Sequence, residues 1–417
     1  MAARDAGVDG VRQAALPPVA LYVHVPFCVS ICPYCDFVVY AGAAARGPTN
    51  RIDVFVEALA AEIGQRADAA DAAFGLDRPP LDSLYFGGGT PSLLPADTIA
   101  RLVALVRERF GLADGAEISL EANPGPDERG DPAAQRRAGI GRLSLGAQSL
   151  DPTELRWLGR RHRPDDVRDA VEAARAAGIG SINLDLLYDL PDVLLTGWME
   201  TLEGALALAP DHLSLYALTL DDPDAEGLTG VDGDHLPTRP GARRWRDAVR
   251  PGQDEDRAAA EYHHAVHRLA GDGWRGYEIS NWARPGHEGR HNLAYWERRP
   301  YEAVGPGAHA FDGVVRRWNA ARLDHYLRAL LPGAGSPTSL PPGGEEVVDA
   351  ATAAAERVVL GLRTDRGLPL AAGTEPPLAD WFGWALAAEL LDVTPDERIV
   401  LTTRGRLLSN ELFSRLV

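Results

Sequence analysis

Apolar and polar positions alternate in two different ways through the first half of the chain. Short β-rich runs lie at residues 19–25, 83–86, 117–122, 142–147, 181–187 and 212–218. Between them, apolar residues recur every three or four positions, as at Phe55, Leu59 and Ile63, which is typical of amphipathic helices. Six βα units in succession predict a parallel sheet with right-handed crossovers. Because six units are too few to close an eight-stranded barrel, we expect an α/β fold with an open or partial barrel.

The second half of the chain is interrupted by two stretches rich in Pro and Gly. The first, the acidic residues 221–257, predicts a surface insertion. Residues 258–330 resume with a helix and an aromatic, Gly-rich stretch that we expect to add strands to the sheet. The barrel with its extension is therefore predicted to span residues 19–330, after a flexible N-terminal tail over residues 1–18.

A small C-terminal domain is predicted after the second break. Residues 331–344 are expected to be a linker, and the domain itself to cover residues 345–417. Helices are predicted near residues 345–362 and 377–391. The strand "RIVLTT" and the following "RGRLLSNELFSRLV" then form a pattern compatible with a helical, winged-helix-like unit.

The formal net charge of −18 at pH 7 narrows the range of partners. Binding to a nucleic acid backbone needs a concentrated basic surface, so we expect no nucleic acid partner. The chain contains no lysine, which excludes a Walker lysine and Schiff-base chemistry. Because the N-terminus lacks a signal-peptide pattern and no apolar run approaches the length of a membrane span, we expect a cytoplasmic protein without a transmembrane segment.

All three cysteines, Cys28, Cys32 and Cys35, lie in "FCVSICPYCDF", directly after the first predicted strand. Three thiols cannot all pair, so their clustering favours a metal or redox site over a disulfide. A [4Fe–4S] cluster on three thiolates would leave one iron open to another ligand, as catalysis requires. A structural zinc ion is the alternative. It would need a fourth ligand, and the direction of the nearby His24 is set by the pleat of its strand.

Glycine and polar residues stand at the ends of the other predicted strands. "GGGTP" (87–91) follows the second strand, Glu121 ends the third, Gln148 follows the fourth and Asp185 lies on the fifth. Taken alone, the glycines are more often a tight turn, and a single carboxylate is more often a helix cap or a solvated charge. Ligands in parallel α/β folds bind at the carboxyl ends of strands, so the joint placement predicts a ligand site.

With these motifs the chain resembles the radical S-adenosylmethionine (SAM) superfamily, in which C-x3-C-x-aromatic-C follows the first strand of a partial (β/α)6 barrel. The resemblance covers roughly residues 19–330. It implies a [4Fe–4S] cluster on the three cysteines and SAM bound to the unique iron through its amino and carboxylate groups. The SAM contacts that it implies are Tyr22, Tyr34, Gly88, Gly89, Thr90, Glu121, Gln148, Arg160 and Asp185.

Within the superfamily, "YVHVPFC", "YFGGGTPSLL", "LSLGAQS" and "NLDLLYDLP" resemble the group of oxygen-independent coproporphyrinogen III oxidases and their heme-chaperone relatives. The oxidases typically follow the third cysteine with x-Cys, whereas Asp36-Phe37 stands here. They also carry a longer segment before the first strand. In addition, "HNLAYW" (291–296) matches the H-N-x-x-Y-W motif of the heme chaperones. These three differences favour a heme chaperone over an oxidase.

The resemblance implies heme binding by His291, Asn292, Tyr295 and Trp296. A neutral imidazole can ligate heme iron, and Tyr295 and Trp296 offer flat apolar faces to a porphyrin. The alternative is that His291 and Asn292 only hydrogen-bond within a loop while Trp296 fills the core. Satisfied structural histidines are commonplace, so the residues alone do not decide between these hypotheses.

The resemblance therefore predicts a heme chaperone that binds heme, a [4Fe–4S] cluster and SAM, and transfers heme to apo-hemoproteins, respiratory ones among them. Little or no oxidase activity is expected. The cluster could support a homodimer, gate heme transfer or drive reductive cleavage of SAM. A coproporphyrinogen III oxidase is the alternative function, and a zinc-stabilised interaction protein is a third.

Overall fold

Six parallel strands form the middle of one large sheet, at the positions that the alternating pattern predicted. They are β1 (Ala20–Val25), β2 (Leu81–Gly88), β3 (Leu112–Ala122), β4 (Arg142–Gln148), β5 (Ser181–Tyr188) and β6 (His212–Ala217). Each strand pairs in parallel with the next one along the chain. Parallel neighbours require crossover connections, which helices supply here. The α/β fold class is confirmed.

The structure is a computed structural model that describes residues 14–42, 51–220, 223–331, 333, 338–374 and 378–416. Most of the predicted N-terminal tail, residues 1–13, lies outside the described residues. Part of the remainder contacts the turn after residues 309–311, because the Leu16 amide donates a hydrogen bond of 2.8 Å to the Asp312 carbonyl.

Helices with one apolar face cover the parallel strands. They are α1 (Arg51–Phe74), α2 (Ala96–Arg109), α3 (Pro132–Arg137), α4 (Pro152–Trp157), α5 (Pro164–Ala176) and α6 (Leu195–Ala207). Phe55, Leu59 and Ile63 of α1 are fully buried, as their spacing predicts. The short helices α3 and α4 begin with proline behind the capping residues Asp131 and Asp151, whose carboxylates accept backbone hydrogen bonds.

The sheet continues on both sides of the six parallel strands. The added strands are β7 (Arg275–Gly276), β8 (Asn281–Ala283), β9 (Tyr301–Val304), β10 (His309–Phe311), β11 (Val315–Asn319) and β12 (Gly343–Val347). Within the described residues the sheet has twelve strands in the order β12-β11-β10-β9-β1-β2-β3-β4-β5-β6-β8-β7. Strand β9 is parallel to β1, so the cysteine-bearing strand lies inside the sheet. The prediction that residues 258–330 extend the sheet is confirmed.

Strand β12 corrects one helix boundary. Residues 345–347 were expected to begin a helix, but they pair antiparallel with β11. The sequence "GGEEV" lacks the apolar alternation of a half-buried strand, because β12 is an exposed edge strand with no apolar face to bury. The helix of this region begins instead at Ala350.

Four further helices accompany the outer strands. They are α7 (Pro240–Val249), α8 (Glu255–Gly271), α9 (Arg290–Trp296) and α10 (Leu323–Leu330). Helix α7 and a short 3-10 turn, Arg250–Gly252, belong to the predicted surface insertion. The insertion is therefore partly helical, and the two residues 221–222 lie outside the described part of the chain.

The last part of the chain forms a second, smaller core. Its elements are α11 (Ala350–Arg363), β13 (Leu368–Pro369), α12 (Leu370–Thr374), α13 (Ala379–Ala387), β14 (Leu391–Val393), β15 (Arg398–Leu401), α14 (Thr403–Leu407) and α15 (Ser409–Phe413). The three strands form an antiparallel sheet in the order β13-β15-β14. We call this part, residues 350–416, the C-terminal unit. Its buried residues form an apolar cluster of their own around Leu362, Phe382 and Ile399.

Candidate functional site

A cavity of about 870 Å³ opens at the carboxyl ends of the parallel strands, where the sequence predicted a ligand site. This volume lies within the range of cofactor and small-molecule pockets. The lining includes the three cysteines and every residue predicted to contact SAM, as well as His291, Asn292 and Tyr295. The structure thus brings together nearly all the predicted site residues. Trp296 is not among the residues that line the cavity.

The cysteine loop, between Pro26 and Tyr40, leaves β1 and folds back beside it. The Cys28 amide donates a hydrogen bond of 2.9 Å to the Tyr40 carbonyl, and the Tyr40 amide donates one of 2.6 Å to the Pro26 carbonyl. The three thiols are free and only partly buried. The loop therefore presents three unpaired sulfur atoms to the cavity.

Two hydrogen-bond donors from other loops at the cavity edge point at these sulfur atoms. The Thr90 hydroxyl lies 3.6 Å from Cys28 Sγ, and a terminal nitrogen of Arg160 lies 3.6 Å from Cys32 Sγ. Burial raises the pKa of the Cys28 thiol to about 11 and that of Cys35 to about 12. Without a metal these thiols therefore stay protonated at neutral pH rather than reacting as free thiolates, whereas coordination to a metal would deprotonate them.

The donor set fits a [4Fe–4S] cluster better than a four-coordinate zinc ion. His24, the nearby candidate for a fourth ligand, has both ring nitrogens occupied: Nδ1 lies 3.0 Å from the Tyr22 hydroxyl and Nε2 lies 2.8 Å from the Val38 carbonyl. In the described part of the chain, no three His, Cys, Asp or Glu side chains are grouped as ligands of one metal ion. Cys28, Cys32 and Cys35 would hold the cluster and leave one iron open.

The insertion contributes a strap over the cysteine loop, formed by helix α7. Arg246 on this helix is buried, and its guanidinium donates hydrogen bonds to the carbonyls of Pro33 (3.3 Å), Tyr34 (3.2 Å) and Cys35 (3.1 Å). Beside it, the rings of Trp245 and Trp157 pack 4.6 Å apart. The sequence predicted no role for this segment, because a contact between residues 35 and 246 leaves no local signal.

The glycine motif after β2 is explained by close packing against β1. Gly88 has a φ of 109°, and a Cβ atom there would lie 2.5 Å from the His24 ring. A Cβ at Gly89 would lie 2.7 Å from the Phe27 carbonyl oxygen. The amides of Gly88, Gly89 and Thr90 are all engaged within the protein. Only glycine therefore lets this turn approach the cysteine loop, and the carbonyl oxygens are what it can offer to a ligand amino group.

Glu121 is a partly buried side chain at the end of β3. Its Oε1 accepts a hydrogen bond of 2.8 Å from the Tyr85 hydroxyl, and its Oε2 accepts one of 3.0 Å from the Gly88 amide. Burial, and to a smaller extent the charge of Asp185, raises the pKa of Glu121 to about 7. Near neutral pH this group can therefore exist in either protonation state.

Arg160 places a positive charge next to a cysteine sulfur atom. Besides Cys32, it binds the side chain of Asn123 and, at 2.6 Å, the Gly146 carbonyl. Its Nε is buried and has no partner among the described residues. Arg160 can thus bind a ligand carboxylate without losing its place in the loop.

Gln148, with a φ of 68°, ends β4 in the left-handed region of backbone conformation, which turns the chain at the cavity wall.

The sequence analysis missed the polar side chains that surround Asp185 on the cavity face of β4, β5 and β6. Asp185 accepts hydrogen bonds from Asn183 (2.7 Å) and Ser144 (3.1 Å). Asn183 also bonds His212, whose other ring nitrogen lies 2.9 Å from the Tyr277 hydroxyl. Burial raises the pKa of Asp185 and lowers that of His212. The available signal was a polar residue at alternate positions of otherwise apolar strands.

His291 lies on α9 with its ring in the cavity wall. Nδ1 is 2.9 Å from the Ser83 hydroxyl, and Nε2 is 2.8 Å from the Tyr295 hydroxyl. Burial lowers the pKa of His291 to about 3, so the imidazole is neutral, as a metal ligand must be. Both nitrogens are nevertheless occupied. Ligation of an iron ion by Nε2 would require the Tyr295 hydroxyl to move away.

Trp296 ends α9 on the side of the C-terminal unit rather than in the cavity. The guanidinium carbon of Arg363 lies 4.6 Å from the centre of the Trp296 ring. Arg363 itself lines the cavity, together with Arg406 of the same unit. These two arginines were also missed, because nothing in the local sequence indicates that the C-terminal unit reaches the site.

Comparison with known proteins identifies the family. A model of the radical SAM superfamily matches residues 22–202. The heme chaperone HemW of Mycobacterium tuberculosis (strain ATCC 25618 / H37Rv) is 38% identical over 421 residues, which cover 100% of both chains. This chain belongs to the HemW family. The HemW of Escherichia coli (strain K12) is 36% identical over 311 residues, covering 74% of this chain and 75% of the relative.

The solved structures confirm the fold of this HemW family member. The structure titled "Coproporphyrinogen III oxidase (HemN) from Escherichia coli is a Radical SAM enzyme" superimposes with a TM-score of 0.76. The superposition covers 97% of this chain and 91% of that chain, at 24% sequence identity. The predicted radical SAM fold is therefore confirmed. None of the helices in the described part of the chain combines the length and apolar character that a bilayer crossing requires.

Proposed function

We propose that this protein is a heme chaperone. It binds heme in the cavity at the carboxyl edge of the sheet, holds a [4Fe–4S] cluster and SAM beside it, and passes the heme to apo-hemoproteins. The observation that carries this proposal is the similarity to the M. tuberculosis heme chaperone HemW, which extends over the whole of both chains.

The site supplies groups suited to each of these ligands. Cys28, Cys32 and Cys35 would hold the cluster, and Arg160 and Asp185 would meet the carboxylate and hydroxyl groups of SAM. When bound, the cluster and SAM would supply electron transfer and radical chemistry. The side chains of this chain bind and orient those groups and exclude water from them.

The heme would lie against the aromatic side of the same cavity. Tyr277, Tyr295 and the 43% exposed Tyr216 line it, and their rings offer apolar faces to a porphyrin. His291 is the proposed iron ligand, since its imidazole is neutral and reaches the cavity. Asn292 lies beside it and is held by the Tyr277 hydroxyl at 3.4 Å.

A coproporphyrinogen III oxidase is the second candidate, because the solved structure of that enzyme shares this fold. Two features argue against it. Asp36-Phe37 follows the third cysteine where the oxidases typically carry x-Cys, and Phe37, which lines the cavity and is 64% exposed, has no atom that could ligate a metal. Similarity to the heme chaperones also extends over the whole chain at higher identity.

One experiment separates the two functions. The cluster is reconstituted anaerobically, and the same sample is assayed for coproporphyrinogen conversion and, by its Soret band, for hemin binding. We expect a Soret band without conversion. Conversion at ordinary enzyme rates would overturn the chaperone proposal. A protein that stays colourless after reconstitution and binds neither coproporphyrinogen nor hemin would support the zinc-stabilised interaction protein instead.

Transfer is tested with an apo-hemoprotein from a respiratory complex as recipient. Heme should move from the loaded chaperone to the recipient. The His291→Ala variant, incubated with the same amount of hemin and separated from the excess, should deliver less heme because it retains less. The homodimer is a further proposal, which light scattering of the reconstituted protein addresses.

A further inference from the structure

Arg363 is an arginine on the cavity wall whose charge has no partner in the described part of the chain. It ends helix α11, and no described residue makes a hydrogen bond or a salt bridge to its guanidinium. Its Nε is buried and unpartnered. Most other cavity arginines are satisfied: Arg142 bonds Ser181 and the His287 carbonyl, and Arg406 bonds the carbonyls of Gly276 and Glu278.

The guanidinium is held in place by an aromatic ring. Its central carbon lies 4.6 Å from the centre of the Trp296 ring, so one face of the planar cation packs on the indole. Stacking of this kind fixes the plane while leaving the donor edge free. Trp296 thereby acts on the cavity through Arg363 rather than by touching a ligand itself.

Arg363 forms no salt bridge with a carboxylate among the described residues. Glu278 is the main negative charge acting on it, but its Oε1 accepts hydrogen bonds from Asn281 and, at 3.0 Å, from the Ser280 amide. Its Oε2 is buried without a partner. Burial lowers the pKa of Arg363 because a charge in a low-dielectric site is unfavourable unless it is paired. A ligand carboxylate would complete this site.

We infer that Arg363 binds a propionate carboxylate of the heme, with Trp296 as the residue that positions it and Arg406 as a second positive charge nearby. The inference rests on the proposed function, because it assigns the acidic edge of the same ligand. Heme carries two carboxylates on one edge of an otherwise apolar ring, and an arginine edge matches a carboxylate with two parallel hydrogen bonds. The cavity would therefore hold the porphyrin with its propionates toward the C-terminal unit.

The test compares hemin with hemin dimethyl ester, which keeps the ring and iron but lacks the negative charges. Both are titrated in the same detergent into the reconstituted protein. We expect wild-type protein to bind hemin at least about tenfold more tightly than the ester, since an ion pair of this kind contributes at least that factor when it is shielded from water. Equal affinities for the two ligands would overturn the inference without any variant.

Two variants locate the effect. Arg363→Gln should weaken hemin binding about tenfold and leave ester binding within about twofold. The matched control is Arg404→Gln, because Arg404 is exposed on α14 of the same unit and does not line the cavity; it should change neither affinity. Equal weakening of both ligands by Arg363→Gln would mean that Arg363 only supports the fold, and the inference would be wrong.

Failure of the proposed function gives a different result. If wild-type protein binds neither hemin nor its ester, the heme-binding proposal falls, and the assignment of Arg363 falls with it. If hemin binds but the ester binds equally well, heme binding stands and the propionate site alone is overturned.

Discussion

His291 faces the cavity with a hydrogen bond on each ring nitrogen, so its availability as an iron ligand depends on Tyr295. The Tyr295 hydroxyl occupies Nε2 at 2.8 Å, and the Ser83 hydroxyl holds the other nitrogen at 2.9 Å. An intramolecular hydrogen bond contributes about 1 kcal/mol. Breaking the bond to Tyr295 is therefore a small cost compared with forming a bond to iron. The bond to Ser83 would meanwhile keep the ring oriented.

Two substitutions test this arrangement. Tyr295→Phe keeps the ring but frees Nε2, so we expect hemin to bind about fivefold more tightly. His291→Ala should weaken hemin binding and shift the Soret band, because the iron loses a ligand. Both are measured by spectroscopic titration with hemin. If His291→Ala bound hemin as tightly as the parent protein with an unchanged spectrum, His291 would not be the ligand.

Glu121 makes the stability of the protein depend on pH in a defined direction. Its pKa is about 7 in the folded protein, against an ordinary value of 4.5, because the carboxyl group is buried. A carboxyl group with a raised pKa stabilises the fold below its ordinary pKa. That stabilisation is lost as the pH rises through about 7, since the folded state must then hold a buried charge.

Glu121→Gln removes this titration. The melting temperature of the variant minus that of the parent should therefore be larger at pH 8.0 than at pH 5.5, by about 2 °C, given about 1.4 kcal/mol per unit of pKa difference. Thermal scans of the SAM-free protein at both pH values measure it. Glu200→Gln, at an exposed position, is the control and should show no such difference. A pH-independent difference for Glu121→Gln would contradict the assignment.

Individual site residues could be predicted from sequence only where a short motif carries them. The cysteines, Gly88 and His291 each stand in such a motif, and all line the cavity. Arg363 could not be predicted, because its role depends on a contact with Trp296 that is 67 positions away, and no local pattern records that contact. Trp296 was predicted to contact heme because its motif does not reveal which side of α9 it occupies.

Helix α7 has a role at the site that only the structure reveals. It belongs to the insertion after β6 and packs on the cysteine loop through Arg246, whose guanidinium is shared among the carbonyls of Pro33, Tyr34 and Cys35. Each such bond to a charged donor contributes about 1.5–3 kcal/mol when buried. The strap should therefore hold the cysteine loop in its cluster-binding conformation and limit the access of oxygen.

Arg246→Gln tests the strap. We expect the visible absorption of the reconstituted cluster to decay about tenfold faster in air, because one or more of these bonds is lost. Chymotrypsin should also cleave the cluster-free loop at Tyr34 or Phe37 more rapidly. The control is Arg244→Gln, at an exposed position of the same helix. Equal decay rates for both variants and the parent would show that α7 does not protect the loop.

Among the strands, length and burial decided what sequence could predict. Strands β1 to β6 are largely buried and rich in branched apolar residues, so their ends were predicted to within two residues, except that β3 begins at Leu112, five residues earlier, with a half that is not buried. Strands such as β7 and β8 have two or three residues, too few to show any periodicity. Strand β12 was mistaken for a helix start because its polar sequence is that of an exposed edge.

At the scale of the whole molecule, the parallel core could be predicted but the closure of the site could not. The alternation of strands and helices dictates which loops meet at one edge of the sheet. The C-terminal unit has a separate apolar core, and its approach to the cavity depends on surfaces that become adjacent only in the folded chain. The cavity is lined by residues of the large sheet and of the C-terminal unit, which have separate apolar cores. It can therefore widen if these two parts move apart, without the loss of either core.

The position of β1 in the sheet also has a consequence for how the protein is made. One neighbour of β1 is β9, and the Tyr40 hydroxyl at the end of the cysteine loop donates to the Ala321 carbonyl and accepts from the Leu323 amide, both at 3.0 Å. Because synthesis proceeds from the N-terminus, the loop lacks these partners until residue 323 has left the ribosome. Iron and sulfide should therefore be inserted after synthesis of the barrel, not during it.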